Sequence, residues 1–531
     1  MAAAADDYIV DPKRDRLVIV ASTLGTVFEW YDFFVYGTLA TLLAGKFFPS
    51  DNPAVSFLIF LASFGVGFGM RPLGALLFGY LGDKLGRKYT FLVTITVMGL
   101  ATAGVGALPT YATIGFAAPV LLVLLRVLQG LALGGEYGGA AIYVAEHAPR
   151  NRRGLYTSFI QAGVIGGFIL SVLVVLTANL LVDPDHWSDW GWRVPFLFSL
   201  LLLAVSLWVR LKLKESPVFQ AMKAEGKCAN NPIRESFDSW PKIKLVLVAL
   251  FGIAAGLTVI WYTAQFQALY FLQNALRIDD NSARIMVGIA ALFSVGWFLL
   301  FGWLSDKIGR KKPIIAGYVL TILLMFPLFH WMASAANPGL TEAMRGNPVV
   351  VTGSDCSYDP FATKGQATAC GRALDILSKR GIAYSKVEGP AGAEPRVSIG
   401  SAAVDVNDSS ALDAALAKAG YKTAKSIPTF WQAAQVVLAI IVIGMLSGMT
   451  YGPVAALLVE LFPARVRYTS MSVPYHIGTG YFGGFLPFIG QYMVAKTGDP
   501  FAGIWYTVAV VAMALVVTTF GLPETAGKEL D

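Results

Sequence analysis

Charge is what this chain most lacks. Only 14% of its 531 residues are Asp, Glu, Lys or Arg, against about a quarter in ordinary water-soluble chains. With 56% hydrophobic residues, a chain of this length cannot cover a water-facing surface. Its 4 histidines and 3 cysteines form no metal-spaced cluster, so no metal is expected. A phosphate-binding G-x-x-x-x-G-K-[ST] loop is missing, which argues against an ATP-driven pump. No convincing nucleophile–base pattern points to an enzyme, and no cofactor is expected. The opening MAAAADDYIVDPKRDR has no positive region followed by a short apolar core and cleavage site, so no cleavable signal is read there.

Long apolar runs are what the chain has instead. Runs near 17–45, 55–80, 89–109, 116–145, 155–181, 192–212, 243–273, 282–303, 313–334, 430–460, 468–495 and 501–522 are each long enough to span a bilayer. With no water to satisfy the backbone they must be helices, so the expected fold class is an all-α membrane protein of twelve spans. The net charge of +7 does not indicate nucleic acid, because the basic residues sit in short clusters between apolar runs. One set of loops holds Lys84, Arg87 and Lys88; Arg150, Arg152 and Arg153; Lys212 and Lys214; Lys307, Arg310, Lys311 and Lys312; Arg465 and Arg467. The alternate short loops hold Lys46, Arg277 and Lys496 beside Asp183, Asp185 and Asp189. Basic loops face the cytoplasm, which places both termini there, as an even span number requires.

The chain repeats itself. GYLGDKLGRK at 79–88 is answered by GWLSDKIGRK at 302–311, with Asp83 and Asp306 223 positions apart. Glu146-x6-Arg153 is answered by Glu460-x6-Arg467 at an offset of 314, and Glu215-Ser216-Pro217 by Pro523-Glu524-Thr525, with glutamates 309 apart. A six-span unit has been duplicated, and the second copy has gained 86 to 91 residues between Asp306 and Glu460. The polar stretch 335–429 accounts for them. The expected organisation is a first bundle over 1–212, a cytoplasmic linker over 213–242, and a second bundle over 243–334 and 430–531.

The paired G-x-L-x-D-K-x-G-R-K loops resemble the signature of the major facilitator superfamily. Within it, Phe28-Glu29-Trp30-Tyr31-Asp32-Phe33-Phe34-Val35-Tyr36-Gly37 in the first span resembles the metabolite:proton symporter family. So do Arg71-Pro72-Leu73-Gly74, Gly134-Gly135-Glu136-Tyr137-Gly138-Gly139-Ala140 and Gly191-Trp192-Arg193-Val194-Pro195-Phe196. The match covers nearly the whole chain outside 335–429. It implies a transporter of carboxylates, betaines or similar small metabolites, driven by the proton gradient in a bacterial inner membrane. The expected partners are a small-molecule substrate, protons and the lipid bilayer, with no nucleic acid, the chain working as a monomer.

Charged residues inside spans are costly and mark function or a structural ion pair. Glu29 and Asp32, three apart, share a face of the first span. Arg126 and Gln129 lie on the fourth, with Glu136 further along nearly the same face. An Arg126 facing Glu29 or Asp32 would leave no lone buried charge. Asp32, then Glu29, then Glu136 are the candidates for proton coupling. Arg126, Gln129, Tyr36, Tyr262, Gln265, Tyr475 and His476 are the candidates for substrate contact, His476 also for a proton relay. Interhelical hydrogen bonding is the competing reading for each polar one, and packing the competing reading for Arg71. By the resemblance, Asp83, Arg87, Asp306, Arg310, Glu146, Arg153, Glu460 and Arg467 are gate residues; a topology signal with a tight turn is the alternative for the lysines and arginines.

Residues 335–429 follow the ninth span and so face the periplasm. Helices near 371–380 and 410–420 and strand-like runs at 382–387 and 395–399 predict a small α/β domain. An oxidising compartment favours a Cys356–Cys370 disulfide. Within transport, a uniporter or a drug or metabolite exporter stays open. So does a transporter-derived sensor using the insertion, although the longest interior loop, about 213–242, offers no output domain.

Overall fold

A computed structural model describes residues 12–530 apart from 86, 136, 212–231, 363–364, 391, 422–423 and 464–465. The side chains of 12–22, 79–91, 143, 147, 209–210 and 232–233 also lie outside the described residues.

Among the described residues, each apolar run is a helix or a short series of helices, as backbone groups in lipid can pair only with one another. The first six are Pro12–Thr38 with Ala40–Phe47, Pro53–Gly69 with Arg71–Leu85, Arg87–Ala107, Ala117–Gly134 with Tyr137–His147, Arg153–Leu181 and Arg193–Leu211. The second six are a series from Trp240 to Ala275, then Asp280–Ile308, Lys311–Ala336, Phe430–Tyr451 with Val454–Leu461, a series from Arg467 to Thr497, and Ile504–Gly521. Eight of these are long and apolar enough to cross a membrane by length and composition, and the sixth becomes a ninth with the short segment before it, from which it bends by 59°. The described part of the third span, Leu92–Ala107, is a shorter apolar helix, and the eleventh includes the π-helical, glycine-rich stretch Gly478–Gly483.

The two halves meet where the fifth span packs along the eighth and the second against the eleventh. The fifth and eighth cross on Gly154 and Gly302. A Cβ on Gly302 would lie 2.6 Å from Ser158 Cβ, and one on Gly154 2.5 Å from the Gly302 carbonyl, so only glycine allows this approach. On the outer surface of the bundle, large apolar side chains such as Leu124, Leu173, Leu200, Leu292, Leu323 and Phe520 stand exposed, a surface suited to lipid and not to water. Arg193, in the GWRVPF run, opens the sixth span and donates from Nη1 to the carbonyls of Gly106 and Leu108 at 2.7 and 2.6 Å. It thereby satisfies the end of the third span.

The insertion is a four-stranded sheet with helices. Its strands are β1 (Val349–Gly353), β2 (Ser385–Glu388), β3 (Arg396–Ile399) and β4 (Ala402–Val404), in the order β2-β1-β3-β4. β1 pairs in parallel with β2, Val351 opposite Lys386, and antiparallel with β3, Val351 opposite Val397. Helices Pro338–Gly346, Ala369–Lys379 and Ser409–Lys418 accompany it. Val349, Val351, Leu374, Leu377, Val397, Leu412 and Leu416 form a core separate from that of the spans. Cys356 and Cys370 are joined in a disulfide. The central strand β1 is absent from the sequence reading, and the strand expected from 382 starts only at Ser385. Ile382 and Tyr384 there are buried but extend no ladder.

Candidate functional site

Arg126 is fully buried on the fourth span. Its Nη1 donates to Gln129 Oε1 at 2.7 Å, and Gln129 Nε2 donates to Thr102 Oγ1 at 2.7 Å. The i,i+3 spacing that puts Arg126 and Gln129 on one helix face makes the first of these bonds. The guanidinium carbon lies 4.1 Å from the centre of the Phe33 ring and 4.3 Å from that of Tyr36, both on the first span, a cation–π arrangement. Tyr36 OH shares a hydrogen bond of 2.5 Å with Ser63 Oγ. Arg126 Nε and Nη2 have no hydrogen-bond partner.

The expected pairing of Arg126 with Glu29 or Asp32 is not formed. Phe33 and Tyr36 are turned toward the fourth span, whereas the Asp32 side chain, one residue from Phe33, projects elsewhere. Asp32 is buried and its Oδ1 has no hydrogen-bond partner. The link that does exist runs through Thr102, whose Oγ1 reaches the Asp32 backbone carbonyl at 3.4 Å. Glu29 is also buried. Glu136 lies outside the described residues.

A second buried guanidinium, left open between packing and function by the sequence, stands nearby. Arg71 is fully buried, and none of its three side-chain nitrogens has a hydrogen-bond partner. Its guanidinium carbon lies 5.2 Å from the Trp30 ring, 5.6 Å from Phe68 and 5.9 Å from Tyr475. It borders a void of about 10 Å³ shared with Trp30, Val164, Thr258, Trp261, Tyr262, Tyr451 and Thr479, room for about one water. Both halves of the molecule line this void. Tyr262 OH, Gln265 Oε1 and both His476 nitrogens are likewise buried without partners. Tyr475 stacks on Tyr137 with ring centres 3.9 Å apart and shares a 2.5 Å hydrogen bond with Tyr451 OH. Tyr262 packs edge-on against Phe68 and borders the same void as Arg71. Tyr451 is absent from the sequence reading and Trp30 enters it only within the first-span run; their placement around the void beside Arg71 is what marks them.

The face carrying the basic loops is closed by contacts between the halves. Asp306, at the end of the eighth span, accepts from the backbone N–H groups of Gly154 and Leu155 at 2.8 and 2.9 Å. It caps the N-terminus of the fifth span, where unpaired N–H groups favour an anion. Arg310 Nη1 also donates to Asp306, at 2.6 Å. Glu460 accepts from Arg153 at 2.9 Å and from Arg310 at 3.0 Å, with Thr525 Oγ1 at 2.9 Å. Arg467 lies 3.5 Å from Glu146. The repeated Glu-x6-Arg elements therefore exchange partners: Arg153 of the first half meets Glu460 of the second, and Arg467 of the second meets Glu146 of the first. Glu524 accepts from the backbone N–H groups of Arg310 and Lys311. Burial pushes its carboxyl up, but the N–H donors of Ala526, Arg310, Lys311 and Thr525 outweigh that and hold it below the ordinary range. The side chains of Asp83 and Arg87 lie outside the described residues, as do Glu215 and Cys228.

Twelve spans in two repeats, joined on one face by exchanged ion pairs around a buried polar centre, are the major facilitator fold. The family described as sugar (and other) transporter matches residues 17–245 and 414–531, and the chain belongs to that family of membrane transporters. It is 38% identical over 330 residues to the shikimate transporter of Escherichia coli (strain K12), covering 61% of this chain and 74% of that one. It is 36% identical over 337 residues to the proline/betaine transporter of Salmonella typhimurium, covering 61% and 66%. The inner membrane metabolite transport protein YhjE of Escherichia coli (strain K12) is 29% identical over 515 residues, 96% of this chain and 94% of its own. A partially occluded, inward-open structure of the xylose transporter XylE from E. coli superposes with a TM-score of 0.62 over 98% of this chain and all of that one, at 17% identity, which shows the shared fold.

Proposed function

We propose that this protein is a proton-coupled symporter that imports a small carboxylate-bearing metabolite by alternating access. The observation that carries this reading is a pair of fully buried guanidiniums, Arg71 and Arg126, with five of their six nitrogens unpaired. A buried cation without a partner is costly, and a carboxylate is the group whose geometry fits a guanidinium fork. Shikimate, proline and betaine, named for the relatives, all bear a carboxylate. The rings of Trp30, Tyr262, Tyr451 and Tyr475 give an apolar body, or a quaternary ammonium, its walls. The void beside Arg71 is too small for such a solute, so the halves must part for it to enter.

Asp32 is the proposed proton carrier. It is buried, has an unpaired oxygen, and shares a helix with Phe33 and Tyr36, which hold Arg126. Proton arrival at Asp32 and solute arrival at Arg126 would then act on one helix. The basic-loop face is assigned to the cytoplasm, with both termini there and 335–429 in the periplasm. The test is uptake of labelled shikimate, proline and xylose into proteoliposomes, with and without an inward proton gradient. Accumulation of a carboxylate that needs the gradient, and that fails in Arg126→Gln and Arg71→Gln, is expected. Uptake of neutral xylose in place of the carboxylates, or carboxylate uptake indifferent to both substitutions, would overturn the reading.

A further inference from the structure

A second cavity among the described residues lies apart from the small void beside Arg71. It lies on the opposite face, between the span ends and the insertion, and has a volume of about 500 Å³. That is within the range of small-molecule sites, roughly 300–1,000 Å³. Tyr270 lines it, with its OH donating to the Gly37 carbonyl at 2.9 Å. Its roof is the insertion, through Lys379, Tyr384 and Tyr421.

The roof is pinned to both halves. Asn52 caps the second span by accepting from Ala54 N at 3.0 Å, and its Nδ2 donates to Tyr358 OH at 3.0 Å and Asp375 Oδ1 at 3.2 Å. On the other side, Tyr384 N donates to the Gly498 carbonyl at 3.1 Å and Lys386 Nζ to the Lys496 carbonyl at 2.8 Å.

The charge of the lining is one-sided. It includes Arg277 and Lys379 but no aspartate or glutamate. Lys379 is paired with Asp375 at 2.9 Å, whereas Arg277 has no carboxylate partner among the described residues. Arg277 Nη2 donates to the Arg380 carbonyl at 2.6 Å. Its backbone has φ 56°, a left-handed conformation that a long side chain adopts at a cost of about 1–3 kcal/mol. The surrounding chain holds it there: Ser426 N donates to the Arg277 carbonyl at 2.8 Å and Asp279 N to the Ser426 carbonyl at 2.9 Å. A strained residue thus carries an uncompensated cation at the wall of a roofed, tyrosine-lined cavity.

We propose that this vestibule is a second binding site, for a small organic anion with a flat apolar body, held by Arg277 with Lys379 beneath the insertion. The site stands independently of the central arginines and would take an anion whichever solute the centre carries.

The test uses the full-length protein in nanodiscs and fluorine NMR of para-fluorobenzoate, with the neutral para-fluorobenzamide as control. The benzoate should bind and the amide should not. Arg277→Gln should weaken binding about tenfold, the size of one lost charge-assisted hydrogen bond. Arg277→Lys should retain part of it. Ala383→Trp, which adds bulk to the lining and leaves both cations in the chain, should abolish it and guards against misfolding of the arginine variant. The double variant Arg71→Gln, Arg126→Gln should still bind the benzoate although its transport fails. Equal binding of acid and amide, no binding of either, or benzoate binding lost in the central double variant and kept in Arg277→Gln, would overturn the proposal.

Discussion

At the scale of single residues, buried polar atoms without partners mark where the molecule does something other than fold. A native interior leaves few such atoms, yet Arg71, Arg126, Tyr262, Gln265 and His476 all carry them. Asp32 adds a carboxyl oxygen to that group. Because an ionised carboxylate is far costlier to bury than a neutral one, Asp32→Asn should mimic the proton-loaded state permanently. Gradient-driven accumulation is expected to fail while substrate exchange across vesicles survives. Full accumulation in Asp32→Asn, Glu29→Gln and their double variant would move the proton site elsewhere. Glu524 gives a pH prediction. Its carboxyl is held below the ordinary range, so its contribution is present above the carboxylate range and is lost as pH falls through the lowered value. Thermal melts of Glu524→Gln should show a lower Tm than wild type near neutral pH, with the two converging in acid. A constant gap at all pH values would contradict this.

At the scale of elements, the fifth and eighth spans pack along each other where the two halves meet. Gly302 lets them touch, and their contact brings Asp306 within reach of the N–H groups of Gly154 and Leu155. Gly302→Leu overpacks this crossing, at about 1–3 kcal/mol or more against the closed state. Cysteine probes on the basic-loop face should then label faster with an impermeant maleimide, and a labelling rate equal to wild type would show that the crossing is not the latch. The insertion is an element of a different kind, with its own core and a disulfide across 14 positions. Changing Cys356 and Cys370 to Ser should destabilise it by about 3 kcal/mol. Limited proteolysis should therefore cut the insertion sooner while the spans melt unchanged. These elements were unequally legible. The long helices follow from hydropathy alone. The five residues of β1 were missed because Val349–Gly353 is too short to show a period and is recognised as a strand only once β2 and β3 flank it.

At the scale of the whole molecule, the insertion raises a mechanical question. Both its ends join the second half, yet Asn52 of the first half donates to Tyr358 and Asp375. If the halves part on that face during transport, these bonds must break in every cycle. Bridging Asn52→Cys to Asp375→Cys with a short bis-maleimide should arrest transport, and cleavable cross-linkers should restore it on cleavage. Unimpaired transport in the bridged protein would mean that the insertion moves with both halves or that the face never opens there.

The sequence by itself determined the membrane architecture. A chain so poor in charge must place its apolar runs in lipid, lipid forces helices, and the offsets of 223, 314 and 309 locate the duplication and the inserted segment without any coordinates. Spacing along a helix also put Arg126 and Gln129 on one face. What spacing cannot supply is the rotation of one helix against its neighbours, which is set by packing of side chains from distant parts of the chain. That rotation gave Arg126 to Phe33 and Tyr36 instead of Asp32, left Arg71 unpaired beside Tyr262 and Tyr475, and crossed Arg153 to Glu460. It also brought the insertion over Arg277, so the vestibule exists only in three dimensions.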